Sequence, residues 1–404
     1  MFDNINDAIT YIESKKINST SLEDFKLIFK KYQNFQNEVK YVHVTGTNGK
    51  GSTSKMISDI VSLNNYKVGL FTSPHILVSN DRIRINDINI SDEDLLGYIN
   101  YFYNDIEEFK INFFQIYTLI ALKYFYDRNC DLAVIEVGIG GLYDSTNVID
   151  AIVSIITNIN IDHTDKLGSS LREIAYQKAG IIKLNKDVVV TVKNQEALSV
   201  IKKQSEKLNA SLKIINSVES NLLNNKLNFN YKSNDYSLNS LATYQVDNAL
   251  LSIEAVNILK SKYGFNIDLA KVKLALDNFE WIGRFELVSI NPEIILDGAH
   301  NIAGIKALIN SDDQNSVVIF SALKDKDYHE MIKLLKNRYD ELVFCEFDFY
   351  RSLKITDLSE YDFMKFTNIN DSLNYLKSKY PNRRIIICGS LYFISEISKM
   401  LRGK

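Results

Sequence analysis

Three glycines and a lysine stand together in "VHVTGTNGKGSTSK", Val42 to Lys55, between an apolar run and a helical stretch. Those residue types suit phosphate chemistry. Glycines let backbone N–H groups come close to a phosphate, and the helix that follows turns its positive end toward it. The spacing departs from a Walker loop, which has four residues between its glycines and Ser or Thr directly after the lysine. Here Thr47 and Asn48 alone separate Gly46 from Gly49, and Gly51 follows Lys50. The stretch reads as a variant phosphate loop in which Gly46, Thr47, Asn48, Gly49, Lys50, Gly51 and Ser52 hold a nucleotide and Lys50 meets its β- and γ-phosphates. An ordinary glycine-rich turn is the other reading.

Further along, Glu136 lies in the apolar run "LAVIEV", and His163 follows "IITNINID". In an open parallel sheet, residues just past the strand C-termini face the crevice where ligands bind. There a carboxylate, an imidazole and the Ser73 hydroxyl could hold Mg²⁺ against phosphate oxygens. That hard cation prefers oxygen, so His163 reads equally well as a hydrogen-bonding crevice residue. Asp162, adjacent, reads as structural or as a support for its neighbour. Lys178, in "YQKAGIIK", sits near a helix end, where a lysine taken alone reads as a solvated surface cation.

The elements that must position these residues follow from hydrophobic pattern. Short apolar runs at "YVHV" (41–44), "KVGLF" (67–71), "LAVIEV" (132–137), "AIVSIIT" (151–157) and "DVVVTV" (187–192) are candidate buried parallel strands. Helical periodicity fills most gaps, as from Phe114 to Tyr126 and from Ser170 to Ala179. Strands alternating with helices imply crossover connections and a doubly wound, mainly parallel sheet of the P-loop ATPase-like kind. From about Ser211 to Ser240 the chain turns polar and Asn-rich, which predicts antiparallel hairpins or a flap; a helix is expected from Gln245 to Lys260. After "WIGRFE" a second cycle, "EIILDG", "SVVIFSA", "ELVFCEF" and "RIIICGS", predicts a smaller, Rossmann-like α/β domain. The expected division is an ATP-binding domain over 1–283 and a C-terminal α/β domain over 284–404.

Composition excludes several classes. In 404 residues, 47 Lys plus Arg nearly balance 50 Asp plus Glu, so no electrostatic footprint for nucleic acid or an anionic membrane is present. The three cysteines, Cys130, Cys345 and Cys388, form no CxxC pair and read as buried thiols in a reducing compartment. The acidic residues in "MFDNINDAITYIESKK" argue against a secretory signal, and no run of about 18 apolar residues occurs. A cytoplasmic globular protein, acting as a monomer without nucleic-acid or membrane partners, is expected.

The string "GTNGKGS", followed in chain order by "FTSPHI", "NDRIRI", "EVGIGG", "DSTN", "DHTDKLG", "KAGIIK", "QVDNAL", "GRFE", "LDGAHN", "LKDKD" and "CGSLY", resembles the Mur ligase superfamily and within it the folylpolyglutamate synthase/dihydrofolate synthase branch. The resemblance runs from Val42 to Tyr392. It implies an ATP-dependent amide ligase that joins L-glutamate to a reduced folate or to dihydropteroate through an acyl phosphate. It implies metal binding by Ser73, Glu136 and His163, and a carbamylated Lys178 beside a second Mg²⁺. It also implies a nucleotide-closing set: Asn248 at the adenine, Asp297 at the ribose hydroxyls, Arg284 at the phosphates, and His300. Taken structurally, Arg284 is readable as an interdomain salt bridge and His300 as a helix N-terminal residue. The chain departs from many such relatives at Leu142 (Arg there), Gln177 (Glu), Ile282 (Pro) and Gln115 (Glu), which bears on the pterin pocket and not on the ATP or metal contacts.

Two rivals are weighed on the same residues. A cell-wall-precursor ligase carries a separate nucleotide-sugar domain ahead of the ATPase, whereas about 40 residues precede the loop here. A GTPase-type switch needs an Asn-Lys-x-Asp signature, and "NKLN" at 225–228 lacks the final Asp.

Overall fold

The computed structural model describes residues 1–15, 20–312 and 314–402. The chain divides by its packing into two units. One holds Met1–Val218 with Asp247–Leu276, the other Glu219–Val246 with Asp277–Lys404.

The first unit is built on eight strands: β1 (Tyr41–Thr45), β2 (Val68–Phe71), β3 (Ile83–Ile85), β4 (Ile88–Asn89), β5 (Leu132–Glu136), β6 (Val153–Ile156), β7 (Asp187–Val190) and β8 (Ser211–Ile214). They lie in the order β4-β3-β2-β5-β1-β6-β7-β8. From β2 to β8 every pairing is parallel, and β1, β2, β5, β6 and β7 are buried along their whole length. Burial on both faces explains why these strands read as unbroken apolar runs. Parallel pairing of β2, β5, β1 and β6 brings their C-terminal ends to the same end of the sheet.

Two features depart from the expected pattern. β3 and β4 form an antiparallel hairpin at the edge, turned at Asn86 and Asp87, both with positive φ (47° and 65°). Asn and Asp tolerate that left-handed conformation, which matches the twist of paired strands. β8 extends the parallel sheet, so the expected antiparallel region begins only at β9.

The second unit contains an antiparallel sheet of β9 (Ser220–Leu223), β10 (Lys226–Tyr231) and β11 (Asn234–Leu238). Its larger sheet has β12 (Arg284–Ile290), β13 (Glu293–Asp297), β14 (Val317–Phe320), β15 (Leu342–Cys345), β16 (Lys365–Phe366) and β17 (Ile385–Cys388), ordered β12-β13-β17-β14-β15-β16. Only β12 runs antiparallel to its neighbour.

Candidate active site

The segment after β1 is the phosphate-loop candidate, and a second segment stitches it down. Thr47 N donates to Asn158 O (3.0 Å), and Asn48 N to Asn158 Oδ1 (2.9 Å). Asn48 O accepts from Thr157 Oγ1 at 2.6 Å and from Asn158 Nδ2 at 3.0 Å. Residues 157–160, past the end of β6, thus fix the loop's backbone. The glycines are forced by close approach. A Cβ on Gly46 would come within 1.8 Å of Thr157 Oγ1, and one on Gly49 within 2.3 Å of Asn248 Oδ1. Gly49, at φ 84°, is the N-cap of the helix Lys50–Leu63 and, as a glycine, brings no side chain to cap it. The positive helix end therefore opens at the loop. Lys50 Nζ folds back on the Gly46 and Thr47 carbonyls at 3.2 and 3.3 Å.

Asn248, on the helix Gln245–Tyr263, is buried behind this loop and accepts from Thr53 Oγ1 at 3.3 Å.

Beside β1, Glu136 ends β5 with its carboxylate buried, and Oε2 accepts from Ser73 N at 2.9 Å. Parallel neighbours β2 and β5 end together, which is how residues 63 positions apart meet. His163 follows β6 at φ 50°, a left-handed conformation uncommon outside glycine that Asn, Asp and His adopt more readily than other residues. Its backbone N donates to Asp162 Oδ1 at 2.9 Å, and its ring is about one-third exposed.

Lys178 overturns the surface-cation reading. It lies on the helix Leu171–Ala179, whose start is fixed by a capping box of Ser170 and Glu173, and it is 3% exposed. Burial and then the charge of Lys50 bring its amine down to about 7, against the opposing pull of Asp162 and Asp144. Near neutral pH a large share of Lys178 is therefore the uncharged amine, the form that can capture CO₂.

Among the described residues no three His, Cys, Asp or Glu side chains are grouped to hold a metal unaided. One buried carboxylate and one hydroxyl at a strand-end crevice nevertheless fit Mg²⁺, which draws most of its ligands from water and phosphate oxygens.

Arg284, Asp297 and His300 gather in the second unit. β12 was not expected as a strand, so Asp297 ends the second strand of that sheet and not the first. Arg284 pairs with it in register across β12 and β13. Asp297 is 2% exposed; Oδ1 accepts from Ala299 N and Oδ2 from the Tyr244 hydroxyl, both at 2.7 Å. Burial raises its carboxyl, while Tyr244 and then Arg284 pull it back. Sequence reasoning missed Tyr244. No pattern in "ATYQVDNAL" distinguishes it, because its partner lies 53 positions away. His300 Nδ1 donates to Gly298 O at 2.8 Å, just ahead of Asn301, the N-cap of the helix Ile302–Ser311.

Residues 44–256 match the Mur ligase middle domain, and residues 283–391 match the Mur ligase glutamate ligase domain. The dihydrofolate synthase/folylpolyglutamate synthase of Bacillus subtilis is 35% identical, over 91% of each chain. The folylpolyglutamate synthase of Lacticaseibacillus casei is 30% identical, over 92% of each. An FPGS–AMPPCP–folate complex superposes with a TM-score of 0.87 at 28% identity, covering 98% of this chain and 99% of that one. Glycine loop, strand-end carboxylate and buried lysine thus stand in a chain that belongs to the dihydrofolate synthase/folylpolyglutamate synthase family of Mur ligases.

Proposed function

We propose that this protein is an ATP-dependent ligase that adds L-glutamate to a folate-type carboxylate, with dihydropteroate, a reduced folate or both as acceptor. The carboxylate attacks the γ-phosphate of ATP, forming an acyl phosphate and releasing ADP. The glutamate amine then attacks the activated carbonyl, loses a proton, and expels inorganic phosphate as the amide forms. ATP is needed because an ionised carboxylate does not react with amines.

The observation that carries this reading is the glycine loop pinned beside the buried Glu136 and the buried Lys178 at the C-terminal ends of central parallel strands. Within residues 46–52, the backbone amides other than those of Thr47 and Asn48, which are held by Asn158, cradle phosphates, Lys50 swings from its carbonyl contacts to the β- and γ-phosphates, and Asn248 meets the adenine. Arg284, Asp297 and His300 complete the nucleotide contacts, with Asp297 using a lone pair left beside its bonds to Tyr244, Ala299 and Phe285. Ser73, Glu136 and His163 would hold one Mg²⁺ and a carbamate on Lys178 a second. Bound Mg²⁺ neutralises charge as two anions meet. Most of the catalysis is positioning and charge neutralisation. We further place the protein in the cytoplasm as a monomer; no helix among the described residues is long and apolar enough to cross a membrane.

Glutamate-dependent ADP release, measured with dihydropteroate and with tetrahydrofolate in parallel, tests the reading. Release with at least one acceptor is expected. None with either would overturn it.

A further inference from the structure

His43 lies in the middle of β1, wholly buried, and nothing in the proposed chemistry uses it. Its Nε2 is 2.8 Å from Thr146 Oγ1, and Thr146 Oγ1 is 2.5 Å from Asp144 Oδ1. Asp144 in turn holds the glycine loop that follows Glu136: Ile139 N donates to Oδ2 at 3.0 Å, and Thr146 N to Oδ1 at 3.0 Å. Two residues along β1, on the same strand face, Thr45 Oγ1 donates to Gly140 O at 2.6 Å. The loop's far end then meets the Lys178 helix, where Leu142 N donates to Gln177 O at 2.7 Å.

Proton counting sets the direction of this chain. A hydroxyl has one proton. Burial raises the Asp144 carboxyl, while the Thr146 hydroxyl and then backbone N–H groups at both oxygens pull it back toward the carboxylate, the form that takes the Thr146 proton. The imidazole must then donate through Nε2–H. The buried Nδ1 has no hydrogen-bond partner among the described residues. A proton there would be an orphaned buried donor, whereas a bare lone pair costs less. Burial, then the charge of Lys183, also drives the imidazole well below its ordinary value, consistent with a neutral ring.

We propose that His43 is a positioning residue of the ligase reaction: through Thr146 and Asp144 it fixes residues 138–142, and with them the spacing of Glu136 and Lys178. This rests on the ligase reading above. The phosphate loop has its own anchors at residues 157–160, so the effect falls on turnover and not on nucleotide affinity.

Kinetics of wild type, His43→Leu, His43→Gln, Thr146→Val and the His43→Leu/Thr146→Val double variant test this, with ¹⁵N NMR of the wild-type imidazole. A Gln amide nitrogen reaches nearly the place of Nε2 and keeps the donor; Leu fills the space without one. Expected are a roughly tenfold or greater fall in kcat per folded molecule for His43→Leu and for Thr146→Val, and an ATP KM within about twofold. The double variant should be no worse than either single one, His43→Gln should keep at least about a third of kcat, and the wild-type ring should show an Nε2–H tautomer that does not titrate between pH 6 and 9. An active wild type with Leu and Gln variants equally impaired, or with only Tm lowered, overturns the role, as does an Nδ1–H tautomer. A wild type without turnover sinks the ligase reading and this role with it.

Discussion

At Lys178 the buried amine has a value of about 7 in place of its ordinary 10.5. Between those values the unfolded chain binds the extra proton, so stability rises with pH across that window; below about 7 the folded protein bears the full cost of a buried cation. Lys178→Met, similar in shape and uncharged, should therefore raise Tm more at pH 6 than at pH 9, at roughly 2–4 °C per kcal/mol for domains of 150–250 residues. Calorimetry at both values checks this, and an equal gain at each would remove the desolvation argument. The same variant should be inactive. Lys178→Ala should be nearly inactive too, with acetate restoring part of the rate in a concentration-dependent way; Lys50→Ala should lose turnover without regaining any. Unaided wild-type rates in Lys178→Ala would return Lys178 to an ordinary helix-end cation. Candidate residues for this site could be named from the sequence because each sits in a short, specific string. Burial was not: nothing in "YQKAGIIK" says which face of the helix meets the sheet. Gln115 is a further case. Its Nε2 donates to Thr20 O at 2.9 Å while its Oε1 accepts from Asn112 N, a double task that a Glu carboxylate could not perform. The departures at Leu142 and Gln177 are likewise neighbours, joined backbone to backbone.

Among elements, the fully buried strands were the most readable, since a strand covered on both faces is apolar at every position. The β3–β4 hairpin, β8 and β12 were not found as such. Each is partly exposed and carries charged or polar residues that break the apolar run. The turn at Asn86-Asp87 held a signal that the search for buried runs passed over. Glycines divide sharply by element. Gly49→Ala places a Cβ against Asn248 at a left-handed φ; the backbone cost alone is about 1–2 kcal/mol, and the ATP KM should rise. Gly97, inside the helix Asp92–Tyr101, has nothing within 4 Å of an added Cβ, so Gly97→Ala should stabilise by about 0.5–1 kcal/mol with kinetics unchanged. Chemical denaturation of the two variants separates them, and loss of stability in Gly97→Ala would contradict the open space seen there.

At the scale of the whole molecule, the second unit takes its residues from two places in the chain. Residues 219–246 supply the three-stranded sheet, Ala242 of the core that includes Ile295 and Phe320, and Tyr244, which satisfies buried Asp297. A fragment of residues 284–404 should therefore melt with poor cooperativity, while adding a 219–246 peptide should sharpen the transition. A fragment as stable as the intact unit would show that the earlier segment contributes little. The first unit is interrupted in the same way, and that has a consequence during synthesis. A nascent chain leaves the ribosome N-terminus first. All eight strands of the larger sheet have been made by Ile214, but Asn248, which backs Gly49, comes only after the inserted segment has been translated. Ribosome-stalled chains ending near residue 235 should display the glycine loop without its rear wall, and tight nucleotide retention should begin only once residues past 276 have been added. Translation order thereby delays the capacity to hold ATP until most of the polypeptide exists.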